Sequence, residues 1–162
     1  MADANDLRSV LTEAERIHVD ASVLALHILG HPRYLPLTRL LFSLLSEDRV
    51  RASTSAVSVY QLLVEAYRRG EGDTARKAEQ HLSTIPGLDV IPMTSAIARQ
   101  AAEVRAQLGG SVERAIQIAT ALGGRAEVYL TQHSAFRRVA GMKVESLDLY
   151  SAAEPSSQGP VQ

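Results

Sequence analysis

The chain has 162 residues, no cysteine, a formal net charge of −1, 46% apolar residues and only 4% aromatic ones. That length suits one domain with a full core. Disulfides, thiolate metal sites and cysteine nucleophiles are excluded, and no bulk positive charge draws nucleic acid from a distance, so RNA contact would need a local patch. The start, Met1-Ala2-Asp3-Ala4-Asn5-Asp6, is acidic and polar, unlike the basic start of a secretion signal. No apolar run approaches the ~20 residues that span a bilayer. The expectation is a soluble, cytoplasmic protein with no membrane partner.

In chain order, residues 1–6 read as loose. Leu7, Val10, Leu11 and Ala14 then follow helical spacing, so residues 1–15 are expected to form an N-terminal extension with a turn or two of helix. A short strand follows over about 16–20, and a helix from Ser22 to Leu29 stops near Gly30 and Pro32. A longer amphipathic helix covers Leu35 to Ser46, and Val50 to Thr54 is a strand. Ser55 is the expected N-cap of a helix reaching Arg69, with Gly70 as its stop. Asp73 to Thr84 is helical up to Pro86-Gly87, and Leu88 to Ile91 is a strand. Thr94 to Leu108 is a helix with Ile97, Ala101, Val104 and Leu108 on one face. Gly109-Gly110 breaks it, and Ser111 to Leu122 is the next helix. Val128 to Leu130 is a strand, 134–139 includes a helical turn, and Lys143 to Leu147 is a final strand. The polar tail 151–162 is expected to be disordered. Alternating strands and helices within one domain, 16–150, predict an α/β fold with a parallel sheet and helices on both faces.

Sites in open α/β sheets lie beyond the carboxyl ends of the strands. Asp20 ends the first strand there, and His133 follows a later one. Asp20 alone would pass for a turn former or helix cap, and His133 for a loop histidine without a task. Glu65 has Arg68 and Arg69 three and four residues on, which fits a solvated helix pair. Yet Leu62, Leu63, Val64 and Ala66 surround it, which argues for a polar pocket instead. Arg114 is the odd residue. With Ser111 as N-cap it occupies the third helical position, where an acid suits the capping box and the helix dipole. A nearby negative charge, from Asp20 and Glu65, would explain it. His18, His27, His31 and His81 lack metal-ligand spacing and read as structural. No phosphate-binding glycine loop or nucleophile elbow is present.

Taken together, Val19-Asp20-Ala21-Ser22, the run Ser55-Ala56-Val57-Ser58-Val59-Tyr60-Gln61-Leu62-Leu63-Val64-Glu65, the run Glu113-Arg114-Ala115-Ile116-Gln117-Ile118-Ala119-Thr120-Ala121-Leu122, and Tyr129-Leu130-Thr131-Gln132-His133 resemble a PIN domain of the VapC toxin type. The resemblance covers about Ile17 to Leu147. It implies a three-layer α/β/α sandwich around a central parallel sheet. It also implies Mg²⁺- or Mn²⁺-dependent RNA hydrolysis, an antitoxin-like protein partner and a homodimer.

Carried over residue by residue, the resemblance makes Asp20 and Glu65 the first two site acids and candidate catalytic and metal-binding residues. Ser22 and Thr131 are supporting residues. Arg114 and His133 stand where the family has its third and fourth acids. A guanidinium cannot deprotonate and pairs with carboxylates, so it would displace a metal ion's charge and space. The expectation is a PIN-like protein of weak or lost activity, acting as a binding or regulatory module, with Mg²⁺ or Mn²⁺ as the cofactor the resemblance implies, or none. The alternative is a working endoribonuclease, a toxin of a toxin–antitoxin pair, in which Asp20, Glu65 and His133 hold Mn²⁺ or another transition ion.

Overall fold

The structure is a computed structural model and describes residues 1–132 and 138–151. The elements are α1 (Ala4–Glu13), β1 (Arg16–Val19), α2 (Ala21–Ile28), α3 (Leu35–Ser46), β2 (Arg51–Ser55), α4 (Ala56–Arg68), α5 (Gly72–Thr84), β3 (Leu88–Ile91), α6 (Ser95–Leu108), α7 (Val112–Gly123), β4 (Val128–Thr131), β5 (Arg138–Val139) and β6 (Met142–Ser146), closed by a 3-10 turn at Leu147–Leu149. The sheet order is β3-β2-β1-β4-β6-β5. All pairings are parallel except β5 with β6.

The layers follow from alternation along the strands. Val128 and Leu130 of β4 join a core with Leu7, Leu11, Leu24, Leu41 and Leu45, from α1, α2 and α3. Tyr129, between them, faces the opposite way into a core with Ala101, Val104, Ala115 and Ile118, from α6 and α7. Every residue of β4 is buried, as a central parallel strand covered on both faces requires. The result is the expected three-layer sandwich. Small alanines at the α6–α7 face let those helices lie close to the sheet. Among the described residues, no helix is long and apolar enough to cross a membrane.

Three expectations need correction. Residues 1–6 are not loose. Asp3 accepts from the Asn5 and Asp6 N–H groups, Asp6 accepts in return from the Asp3 N–H, and α1 starts at Ala4. Ala2 also bridges to Tyr150, which ties the first residues to the last described ones. The sheet is parallel at its centre but mixed at one edge, because β5 and β6 form a tight antiparallel hairpin. Gly141, at φ +80°, makes that turn accessible. Arg138–Val139 is accordingly strand rather than part of a helical turn. The rest of that turn, 134–137, lies outside the described residues, as does the expected tail beyond Ser151.

The topology creates one natural crevice. From β1 the chain crosses to β2 and β3 on one side, then returns to β4 on the other. Ligand sites form where such a sheet changes direction, beyond its carboxyl ends. Here that point lies between β1 and β4, where Val19 pairs with Leu130.

Candidate functional site

Asp20 sits at that point. Its backbone N–H donates to Leu130 O at 3.1 Å, so the end of β1 is pinned to β4. Its side chain caps α2: Oδ1 accepts the Ser22 N–H at 2.9 Å and also the Ser22 hydroxyl. The Tyr129 hydroxyl approaches Oδ2 at 3.4 Å. Burial raises the Tyr129 pKa well above its usual value, the Asp20 charge and hydrogen bond push the same way, and Arg114 opposes them in part. The phenol therefore stays protonated and remains a donor.

Ser22 also holds the two elements together. Its Oγ accepts the Gln132 N–H at 2.9 Å and lies 3.4 Å from Thr131 Oγ1. Gln132 O in turn accepts from the Ser146 hydroxyl at 2.7 Å and from the Asp148 N–H at 3.0 Å. Ser22 and Gln132 thus link the ends of β1, β4 and β6 beside Asp20.

A cavity of about 180 Å³ opens above this rim. It is lined by Asp20, Ala21, Ser22, Tyr129 and Thr131, from the ends of β1 and β4 and the start of α2, and by Gln61, Ser111, Arg114 and Gln117, from α4 and α7 and its cap. Ser111 caps α7, its Oγ accepting the Arg114 N–H at 3.1 Å. The Arg114 side chain lies over Gly110, where an added Cβ would come within 3.2 Å of Nη1. Gly110, at φ +85°, therefore serves both the turn and the passage of the guanidinium.

Behind the cavity is a closed polar network. His18 is fully buried on β1 and stacks on Tyr129 at 5.3 Å between ring centroids. Its Nε2 lies 2.8 Å from Gln117 Oε1, and its Nδ1 lies 3.4 Å from Ser53 Oγ. Gln117 Nε2 donates to Ser58 Oγ at 2.6 Å and to Gln61 Oε1 at 3.2 Å. Thr54 Oγ1 donates to Ser58 Oγ at 2.7 Å. Burial lowers the His18 pKa to about 4, against smaller opposing effects of the Gln117 bond and the Asp20 charge, so the ring is neutral at physiological pH.

The sequence-predicted residues divide as follows. Asp20, Ser22, Arg114 and Thr131 line the cavity together. Glu65 does not. It lies beside a neighbouring apolar depression with Ala25, Ile28, Leu29 and Leu62, and pairs with Arg68 at 2.7 Å, both side chains more than half exposed. The expected bridge from Asp20 through Arg114 to Glu65 is not assembled at this cavity, which Asp20 and Arg114 line without Glu65. The cause is helical geometry: four residues move a side chain about 6 Å along α4 and about 40° around it. Gln61, one turn earlier, reaches the cavity instead. His133 lies outside the described residues. Sequence reading missed Gln61 and Gln117. Ser55, Ser58 and Gln61 form a polar stripe at a spacing of three along an otherwise apolar helix, and Gln117 interrupts the apolar run of α7 at the same spacing from Arg114. Both signals were present.

Among the described residues, no group of three or more His, Cys, Asp or Glu side chains could hold a metal ion. The described donor set of the cavity contains one carboxylate, Asp20, together with a guanidinium and two amides.

A family profile described as PIN domain matches residues 17–142. No curated protein matches the sequence. Solved structures do. The chain is similar to VapBC2 from Rickettsia felis, solved bound to a DNA fragment from their promoter, with TM-score 0.64, 15% identity, and coverage of 81% of this chain and 98% of that one. It is similar to a toxin–antitoxin complex from Klebsiella pneumoniae, with TM-score 0.60, 18% identity, and coverage of 81% and 97%. It is also similar to VapC20 from Mycobacterium tuberculosis, a sarcin–ricin loop cleaving toxin, with TM-score 0.55, 19% identity, and coverage of 70% and 86%. At such identities the likeness is one of fold.

Proposed function

As the chain belongs to the PIN domain family, we propose that it is a member that binds RNA at the Asp20 cavity with little or no metal-dependent hydrolysis, and that it serves as a binding or regulatory module. One observation carries this reading: Arg114 lines the same cavity as Asp20, the single described carboxylate of its lining. A hydrolytic ion must activate water and steady developing charge. Mg²⁺ takes carboxylate and water oxygens in an octahedral shell. Here the donors of Ser22 and Tyr129 already engage both Asp20 oxygens, and Arg114 brings a positive charge that does not titrate away. One carboxylate beside a guanidinium is, among the described residues, a poor fit for a resident divalent ion.

An antitoxin-like protein is the proposed partner. Its support is the similarity to a toxin–antitoxin complex over most of both chains. A homodimer belongs to the same proposal, supported by the exposed Met93 and Val112 beside an alanine-lined depression between α6 and α7.

The test pairs a binding assay with a cleavage assay. Labelled single-stranded RNA is titrated with the protein in EDTA, then incubated with it in Mg²⁺ or Mn²⁺. Binding without appreciable cleavage is expected. Robust metal-dependent cleavage, abolished in Asp20→Asn, would overturn the proposal and favour the alternative endoribonuclease using Asp20, Glu65 and His133.

A further inference from the structure

The buried network behind the cavity has a direction. An amide oxygen carries no hydrogen, so the hydrogen between His18 Nε2 and Gln117 Oε1 belongs to the imidazole. The Gln117 NH₂ group therefore faces the other way, and both its hydrogens are used, one on Ser58 Oγ and one on Gln61 Oε1. Gln61 in turn has its oxygen committed inward. Its own NH₂ group has no partner among the described residues, and Gln61 lines the cavity. At the same cavity both Asp20 oxygens accept hydrogen bonds from Ser22 and Tyr129. The lining contributed by α4 and α7 therefore brings donors to it: the Gln61 amide N–H and the Arg114 guanidinium.

We propose that this cavity is an oxyanion site that takes a phosphate group on Arg114 and the Gln61 amide, with His18 and Gln117 as positioning residues that hold that amide outward. Guanidinium and phosphate match in charge and in bidentate geometry, and a preset amide donor adds a second direction of contact. The direction of the network is set by geometry: the Gln117 oxygen can only accept from His18, which leaves both its hydrogens for Ser58 and Gln61. This inference rests on the proposed RNA-binding role and names the part of the RNA that the cavity grips. The phosphate could come from the RNA backbone or from a free phosphate.

Two probes separate those sources, both in EDTA: a fluorescein-labelled oligouridylate followed by anisotropy, and inorganic phosphate followed by calorimetry. Arg114→Gln and Gln61→Glu alter exposed side chains, so both variants should fold. Each should weaken both probes at least tenfold, and Arg114→Gln should reduce the salt slope of oligouridylate binding by about 0.7, one phosphate contact. Gln117→Glu tests the positioning role. The carboxylate it introduces cannot donate to Gln61, so the Gln61 amide must turn its N–H inward and its oxygen outward. Phosphate affinity should fall while the His18 pKa, read from its imidazole proton resonance, rises towards the new carboxylate. Gln61→Met keeps the bulk without the donor and should weaken phosphate even if Gln117→Glu fails to fold. If Arg114→Gln and Gln61→Glu bind both probes as the wild type does, the oxyanion site is overturned. RNA binding that is indifferent to these variants and to added phosphate would overturn the site but leave the RNA-binding role standing. Phosphate binding that is lost in the variants, with no RNA binding at all, would uphold the site and overturn that role.

Discussion

His18 should make the fold acid-sensitive in a way that one substitution can isolate. The imidazole is fully buried, and its pKa falls from 6.5 to about 4, chiefly through desolvation. Above pH 6.5 the ring is neutral in both folded and unfolded chains, and its contribution is fully present. As pH falls from 6.5 towards 4, the unfolded chain gains a proton that the folded one resists, and stability drops. The gap between 6.5 and about 4, at about 1.4 kcal/mol per pH unit, amounts to about 3 kcal/mol. A domain's whole stability is only about 5–15 kcal/mol, so the effect is measurable. The assay is urea unfolding at pH 7.5 and at 4.5, for the wild type and His18→Gln. Every other group is common to both proteins, so its contribution cancels in the difference. The variant should be less stable at pH 7.5, because it leaves Gln117 imperfectly paired, but should lose about 2–3 kcal/mol less than the wild type on acidification. Identical pH dependence in the two proteins would refute a neutral, buried His18 and with it the direction assigned to the Gln117 amide.

Ser22→Ala removes the hydroxyl that donates to Asp20 and accepts from the Gln132 N–H. A thermal melt should show a loss of about 1–3 kcal/mol, with weaker RNA binding because the cavity rim loosens; an unchanged melt would mean that the bracing role is wrong. Glu65→Gln should change stability by less than about 1 kcal/mol, since its pair with Arg68 is exposed, and should leave RNA binding unchanged. Loss of binding in that variant would return Glu65 to the site.

The charge arrangement also bears on how such a cavity could be regulated. Arg114 and Asp20 line one small cavity, and an incoming phosphate would bring its own negative charge to it. Its affinity is therefore expected to fall with salt, as for any contact that releases counterions. The whole chain carries a net charge of only −1, so binding strength would depend on this local pair and its neighbours rather than on the overall field.

Much of the fold was legible in the sequence. The strand at Leu88–Ile91 and the helix at Leu35–Ser46 match their predicted bounds, and Ser55 and Ser111 cap the helices they were expected to cap. These features depend on local chemistry: apolar periodicity, capping hydroxyls, and glycines that stop helices. That Asp20 and Arg114 would come to one place was legible too, because a strand-terminal acid and a cation at a helix N-terminus stand out from their neighbours, and both line the cavity. The start of α1 was missed, since its capping box reads as a loose acidic tail until Tyr150 is brought beside Ala2. Glu65 and Gln61 differ by a single helical turn, and sequence favoured the charged residue. Only the packing of α4 against α7 and β2, which turns Ser58 and Gln61 inward and leaves Glu65 beside Arg68, decided which of them reaches the cavity. Sequence by itself determined the elements and the strand end that carries Asp20, because those depend on neighbours along the chain. Tertiary structure decided the composition of the cavity, because whether a polar side chain is buried, paired or presented depends on groups 56, 59 and 99 residues away.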